Sequence, residues 1–158
     1  MKILALDLGS TTGWAMIKEG KVFQYGERTF KGDRAIRFEA MRKWLKSMTA
    51  HDHPELIIFE RPFCRGMHAT RSLWGMAAVA EGVAVWRGIP SLDIVPCTLK
   101  KWATGNGRAS KALMIEAASD MLYPGAVAFD LGLRDLGEHE ADAIILGLYA
   151  HEHVETGE

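Results

Sequence analysis

Two short apolar runs that each stop at an acidic residue most constrain how this chain can fold. Residues 2–7 and 55–60 have apolar interiors without the alternation of a half-exposed strand. Strands buried on both faces are typical of a parallel sheet covered by helices on either side. The runs end in Asp7 and Glu60, and parallel neighbours bring their carboxyl ends to one edge of the sheet. Because open α/β sheets bind ligands at that edge, a paired-carboxylate site is predicted there, although solvated strand ends are the simpler alternative.

The rest of the pattern predicts a mixed sheet flanked by helices. Further strands are predicted over residues 13–18, 21–30 and 91–95. Helices are predicted over residues 33–48, 72–86, 97–103, 110–122 and 138–151. The order βββαβαβα, followed by further helices, indicates an α/β fold with a five-stranded mixed sheet. We expect residues 1–158 to form a single domain, since this length suits one core.

Composition excludes several classes of protein. With 48% apolar and 25% charged residues, the chain is an ordinary globular one. No apolar stretch reaches the ~18 residues that span a bilayer, and Asp7 and Gly9 interrupt the only N-terminal candidate for a signal peptide. Cys64 and Cys97 lie far apart, without the spacing of a metal or redox site. We therefore expect a reduced, cytoplasmic protein with no membrane segment.

Opposite charges are segregated along the chain, although the net charge is only −1. Residues 61–111 contain eight Lys and Arg against two acids, whereas residues 130–158 contain eight acids and one base. Four cations flank a Gly-Asn-Gly turn: Lys100, Lys101, Arg108 and Lys111. A flexible turn with this charge is typical of a loop that contacts a nucleic-acid backbone, and chance unevenness of surface charge is the alternative.

A third group of potential ligands lies at the start of the last predicted helix. His139 and Asp142 are three residues apart, so they share one face of that helix near its N-terminus. Together with Asp7 and Glu60 they would give three carboxylates and one imidazole. This set suits Mg²⁺ or Mn²⁺ better than structural Zn²⁺, which prefers thiolates and imidazoles. The alternative for His139 is a surface residue that caps the helix.

Four stretches that span nearly the whole chain carry a family resemblance. They are Asp-Leu-Gly-Ser-Thr-Thr-Gly-Trp-Ala at 7–15, Phe-Glu-Arg-Pro-Phe at 59–63, the cationic stretch 100–111 and His-Glu-Ala-Asp-Ala at 139–143. In this order they resemble the RuvC-type Holliday-junction resolvases of the ribonuclease H-like superfamily. The resemblance implies a ribonuclease H-like fold and a homodimeric endodeoxyribonuclease that nicks opposite strands of branched DNA symmetrically.

The resemblance also implies the metal ligands. Asp7, Glu60 and Asp142 match metal-binding acids of the family, and His139 stands where many members have an aspartate and some a histidine. We expect two Mg²⁺ or Mn²⁺ ions per site, about 3.5–4 Å apart. Asp7 could bridge both ions, with Glu60 on one and His139 and Asp142 on the other. Alternatively, His139 could move a proton, because its ordinary pKa of about 6.5 suits that role.

DNA contacts are implied in the same way. Phe63 matches an aromatic residue implicated in stacking on a junction base, and Lys100 and Lys111 match basic residues that face DNA near the cut. The cationic turn makes Arg108 a further candidate for DNA contact. The helix predicted over residues 72–86 is rich in small and apolar residues, so we expect one face to pack on the sheet and another to pair with a second copy.

Three other functions are compatible with parts of the sequence. An ATP-using relative of the sugar-kinase and actin superfamily begins with a similar Asp-x-Gly-Ser/Thr-Thr loop, but it needs a second lobe for which this chain is too short. A ribosomal-RNA processing nuclease of the same fold fits residues 59–63 less well. A non-catalytic scaffold that binds branched DNA would not need intact metal ligands.

Overall fold

The computed structural model describes residues 1–63, 66–124 and 135–154. Within these ranges the strands are β1 (Lys2–Asp7), β2 (Thr11–Lys18), β3 (Lys21–Thr29), β4 (Leu56–Glu60) and β5 (Ser91–Ile94). The helices are α1 (Arg34–Asp52), α2 (Met67–Arg87), α3 (Pro96–Thr104), α4 (Lys111–Leu122) and α5 (Glu138–Val154). All five strands join in one mixed sheet of order β3-β2-β1-β4-β5. The predicted α/β architecture and the parallel pairing of β1 with β4 are confirmed.

Some element boundaries differ from the predicted ones. Helix α2 begins at Met67, five residues before the predicted start. The sequence did not predict this first turn because it is largely exposed and carries no apolar periodicity. Helix α5 continues to Val154, beyond the predicted end. Strand β2 begins at Thr11, two residues before the predicted start, since Thr11 pairs with Thr29 of β3. Among the described residues, no helix is long and apolar enough to cross a membrane.

Side chains of the central strands point alternately to the two faces of the sheet, and each face packs in its own hydrophobic core. The odd-numbered residues of β1, beginning at Ile3, pack beneath α3, α4 and α5. The even-numbered residues pack with α1 and α2 on the other face. In β4, Leu56 and Ile58 belong to the first core. Asp7 and Glu60 continue these two series by one further step, so both side chains leave the sheet on the α5 side.

All five helices in the described residues begin at the edge where β1 and β4 end. Strands β3, β4 and β5 run parallel to β1, and each leads directly into α1, α2 or α3 at this edge. Helices α4 and α5 begin with Lys111 and Glu138, which line the cavity found there. The opposite edge receives the helix ends, as the hydrogen bond from Ile57 N–H to the Pro90 carbonyl, 3.0 Å long, shows for α2.

Helix α5 meets the sheet most closely at Gly13. A Cβ atom added to Gly13 would overlap the backbone carbonyl of His139 and lie 2.9 Å from the His139 Cβ. Gly13 is also the sheet partner of Asp7. The missing side chain therefore lets the first turn of α5 descend onto the strand end that carries Asp7.

Replacing Gly13 by alanine should force the first turn of α5 away from the sheet. We expect Gly13→Ala to lower the free energy of unfolding in urea by about 1–3 kcal/mol, as overpacking does in well-packed cores. Glu116→Ala, on the exposed side of α4, is the control and should change the free energy of unfolding by less than about 0.5 kcal/mol. Equal stability of Gly13→Ala and the wild-type protein would contradict the close contact.

Candidate active site

One cavity at the carboxyl edge of the sheet collects most of the residues predicted to act. Its volume is about 500 Å³. The predicted ligands that line it are Asp7, Glu60, His139 and Asp142. The predicted DNA contacts that line it are Phe63, Lys100 and Lys111. Side chains separated by up to 135 positions in the sequence thus share one concave surface.

Arg108 is the predicted DNA contact that this cavity does not include. Its neighbour Gly107 lines the wall, whereas Arg108 is exposed outside. The backbone N–H of Arg108 donates to the Asn106 side-chain oxygen over 2.9 Å, which tightens the turn between α3 and α4. Contact between Arg108 and DNA stays a prediction, and it requires a DNA strand that extends beyond the cavity.

One polar contact within the site joins two residues that lie far apart in the sequence. Nδ1 of His139 lies 2.7 Å from Oδ2 of Asp7, so an imidazole N–H can donate to the carboxylate. This arrangement leaves Nε2 of His139 as the nitrogen for a ligand or a proton, a division typical of carboxylate–histidine pairs in metal sites.

Burial gives the two aspartates of this site raised pKa values. Removal from water raises the pKa of Asp7, against the lowering effects of the hydrogen bond and charge of His139. Burial, followed by the negative charges of Asp7 and Glu138, raises the pKa of Asp142 to about 7. The hydrogen bond to Asp7 raises the pKa of His139 above its ordinary value. Asp7 and Asp142 are therefore acidic groups in a poorly solvated pocket, where the ionised form of each is disfavoured.

The chemistry of these four side chains fits a divalent cation, but in the described residues they do not converge on one point. Carboxylate oxygens and an imidazole suit Mg²⁺ or Mn²⁺, and a cation would relieve the penalty that raises the two aspartate pKa values. Among residues 1–63, 66–124 and 135–154, no three His, Cys, Asp or Glu side chains already form a metal-binding group. Ion binding would accordingly draw Glu60 and Asp142 inward.

Two ion pairs at the site were missed by sequence reasoning. Lys111 Nζ pairs with Glu138, one residue before His139. Arg61, directly after Glu60, pairs with Asp93 of β5 through Nε at 2.6 Å, and this pairing lowers the pKa of Asp93. The partners are 27 and 32 residues apart, so no local pattern predicts them. The cation counted at position 61 is therefore engaged with an acid in the DNA-free protein.

Comparisons with known proteins agree with this architecture. No protein-family model matches the chain. Proteins called crossover junction endodeoxyribonuclease RuvC from Methylorubrum populi and Methylorubrum extorquens are each 31% identical over 134 residues, which cover 80% of this chain and 70% of theirs. The fold is the ribonuclease H-like fold. More narrowly, the chain belongs to the RuvC family of crossover junction endodeoxyribonucleases, which resolve Holliday junctions.

Solved structures show the same fold at lower sequence identity. Thermus thermophilus RuvC superposes with a TM-score of 0.79 at 16% identity, covering 99% of this chain and 97% of that one. The same protein in complex with Holliday junction substrate gives 0.81 at 17% identity, with coverages of 99% and 96%. The yeast mitochondrial Holliday junction resolvase Ydc2 gives 0.64 at 14% identity, with coverages of 92% and 75%.

The raised pKa values predict how the stability of the metal-free protein depends on pH. The pKa of Asp142 is raised from 3.8 to about 7, so this group stabilises the fold fully below about pH 4, and the stabilisation is lost as the pH rises through 7. The raised pKa of His139 acts in the same direction. In a chelator, the melting temperature should fall between about pH 5 and pH 8.

Substitution of Asp142 isolates its share of this effect. Asp142→Asn should show a smaller fall in melting temperature over the same pH range, because the amide does not titrate. Glu116→Gln, on the exposed side of α4, is the control and should follow the wild-type curve. Parallel curves for Asp142→Asn and the wild type would show that Asp142 is solvated.

Proposed function

We propose that this chain is a homodimeric, metal-dependent endonuclease that resolves four-way DNA junctions in the cytoplasm by paired, symmetric nicks. The observation that carries the proposal is one cavity that holds four acids, His139, two lysines and Phe63. An acidic centre alone would repel a phosphodiester, whereas cations on the same wall can hold the backbone beside it. Family membership supports DNA junctions as the substrate.

Each group in the cavity has a chemical task in this proposal. Asp7, Glu60, Asp142 and His139 would hold two Mg²⁺ or Mn²⁺ ions, which supply an activated water and stabilise the leaving oxygen. Lys100 and Lys111 would position the phosphate backbone. Lys111 would exchange its ion pair with Glu138 for a phosphate oxygen when DNA enters.

The exposed aromatic ring at the mouth of the cavity suits a branched substrate. Phe63 is 65% exposed, which is uncommon for a phenylalanine that stays in water. Stacking on an unpaired base at the branch point would cover the ring and contribute about 1–3 kcal/mol per base. A linear duplex offers no unstacked base, so Phe63 would favour junctions over matched duplex.

Asp7→Asn tests the proposed reaction. The variant should lose cleavage of a four-way junction in both Mg²⁺ and Mn²⁺ while it binds the junction as well as the wild type or better, because a charge that repels phosphate has been removed. Cleavage is measured beside a linear duplex of the same sequence. Residual nicking within about tenfold of wild type, roughly 1.4 kcal/mol of barrier, would exclude a bridging role. Preference of the wild type for structured RNA would indicate the ribosomal-RNA alternative.

His139 should set the choice of ion. His139→Asp adds a hard oxygen ligand and a negative charge, so cleavage in Mg²⁺ should rise relative to cleavage in Mn²⁺. His139→Ala should lose most activity with both ions, since a ligand or a proton carrier is missing. The rates are compared at saturating junction over a titration of each ion. Normal cleavage by His139→Ala would leave His139 as a helix cap and Asp7, Glu60 and Asp142 as the site.

Helix α2 offers a surface for the proposed dimer. Its outer stripe, exposed at intervals of three and four residues, comprises Arg71, Trp74, Ala78, Gly82 and Val85. Trp74 and Val85 are 48% and 79% exposed. Between them Ala78 and Gly82 lack bulk, and open space lies over Gly82, so a second helix can approach closely. Stacking two such stripes across a two-fold axis would bury both apolar ends.

Trp74→Glu should convert the proposed dimer into a monomer at micromolar concentration, because it places a charge at one of the apolar ends that the dimer would bury. Light scattering measures the mass. Trp86→Glu is the matched control, since Lys46 Nζ already covers the Trp86 ring at 3.7 Å to its centroid. It should remain dimeric. A monomeric wild type, or a dimeric Trp74→Glu, would overturn the α2 interface.

A further inference from the structure

A second group of cations lies at the carboxyl edge, on the far side of the sheet from the candidate active site. We call it the β3–α1 patch, and it consists of Arg28, Lys31, Arg34 and Arg37. Arg28 and Lys31 are exposed, whereas Arg34 and Arg37 are partly buried. Arg34 and Arg37 are three residues apart and therefore neighbours on the surface of α1. No role is predicted for these four residues from the sequence.

Strand register places the patch on the face opposite to Asp7. Arg28 pairs with Thr12, two positions along from the Trp14–Gly26 pair. The Trp14 ring lies against Gly26 and packs into the core beneath α1 and α2. Alternation directs Arg28 to that same face, while Asp7 faces α5. A phosphate bound by the patch is therefore a different one from the phosphate held beside Asp7.

The patch is nevertheless attached rigidly to the site. The backbone N–H of Phe30 donates to the Ser10 carbonyl over 2.7 Å, and Ser10 lies three residues after Asp7. The Phe30 ring is 4% exposed and lies 5.7 Å from the Trp44 ring. These contacts fix the connection between β3 and α1, so the patch and the candidate ligands keep a constant separation.

The four cations differ from their neighbours on α1 in being unpaired. In the part of the chain that the structure describes, none of them forms an ion pair. The next cations along the helix are occupied: Arg42 and Lys43 both pair with Glu39. Asp33, the acid within the patch, accepts the Ile36 N–H at 3.0 Å and caps α1. Four cations against one acid leave a positive surface.

Arg37 also has an unsatisfied donor. Its Nε is buried and meets no acceptor among the described residues. A buried donor without a partner is destabilising, so this group favours a ligand that can accept a hydrogen bond. Guanidinium groups bind phosphate through two parallel N–H bonds, and a small rotation onto a phosphate would satisfy Nε and a terminal nitrogen together.

We infer that the β3–α1 patch binds the phosphate backbone of a duplex arm of the branched substrate, outside the strand that is cut. The inference rests on the proposed function and adds a second point of attachment to it. Two attachment points on opposite faces of one rigid edge would hold two segments of a branched molecule at a fixed angle. A linear duplex cannot readily reach both points, so the patch adds to the preference for junctions.

Junctions with arms of two lengths test the inference. Binding is measured in a chelator over a range of salt, with arms of about 20 or about 5 base pairs, the shorter being half a helical turn. The double variant Arg34→Ala/Arg37→Ala should bind the long-armed junction about tenfold more weakly at low salt. Its salt slope should be smaller by about 2, one unit per phosphate contact. With short arms its affinity should equal that of the wild type.

Two controls separate charge from folding. Arg42→Ala/Lys43→Ala removes the same charge from the same helix at paired positions and should leave the salt slope unchanged. Arg34→Lys/Arg37→Lys keeps the charge and should keep most of the slope. An unchanged slope in the alanine variant, or an equal loss with short arms, would overturn the inference. Cleavage of the junction by wild-type protein tests the proposed function separately, and an arm-length effect without cleavage would preserve the inference alone.

Discussion

The seating of α5 on the sheet is the constraint on which the candidate site depends. The helix can lie this close because a glycine stands on each side of the contact: Gly13 in β2 below its first turn, and Gly147 within α5 above Ala5 and Ile17. Close packing excludes water from the end of β1. The same contact that brings the imidazole of His139 to Asp7 therefore also deprives the Asp7 carboxylate of solvation.

Much of the fold follows from local sequence, because short continuous apolar runs and acidic strand ends are local signals. Residues 2–7 and 55–60 predicted a parallel pair, and the register Leu6–Phe59 confirms it. The bond between Asp7 and His139 spans 132 positions, and only the packing of α5 determines it. The sequence likewise did not predict the contact between Gly13 and α5, since a glycine at the start of a strand indicates a turn as readily as close packing of a helix. The metal ligands themselves stay predictions.

The acids of the cavity show a conflict between stability and chemistry. A carboxylate with a raised pKa costs folding free energy at neutral pH, and a protein selected only for stability would remove it. Asp142 keeps this cost beside Asp7 in the cavity at the carboxyl edge. Clusters of perturbed acids in a concave site are typical of functional centres.

All five described helices begin at the carboxyl edge of the sheet, so the positive ends of their dipoles lie together there. Each helix presents the equivalent of roughly half a positive charge at its first turn and half a negative charge at its last. Because the net charge is only −1, a polyanion exerts little overall pull on the protein. It exerts a torque instead, which turns the carboxyl edge toward the DNA within the screening distance of about 8 Å at physiological salt. Encounters that begin with the wrong face can thus be corrected by rotation before contact, without a strongly basic surface that would hold the protein on any duplex.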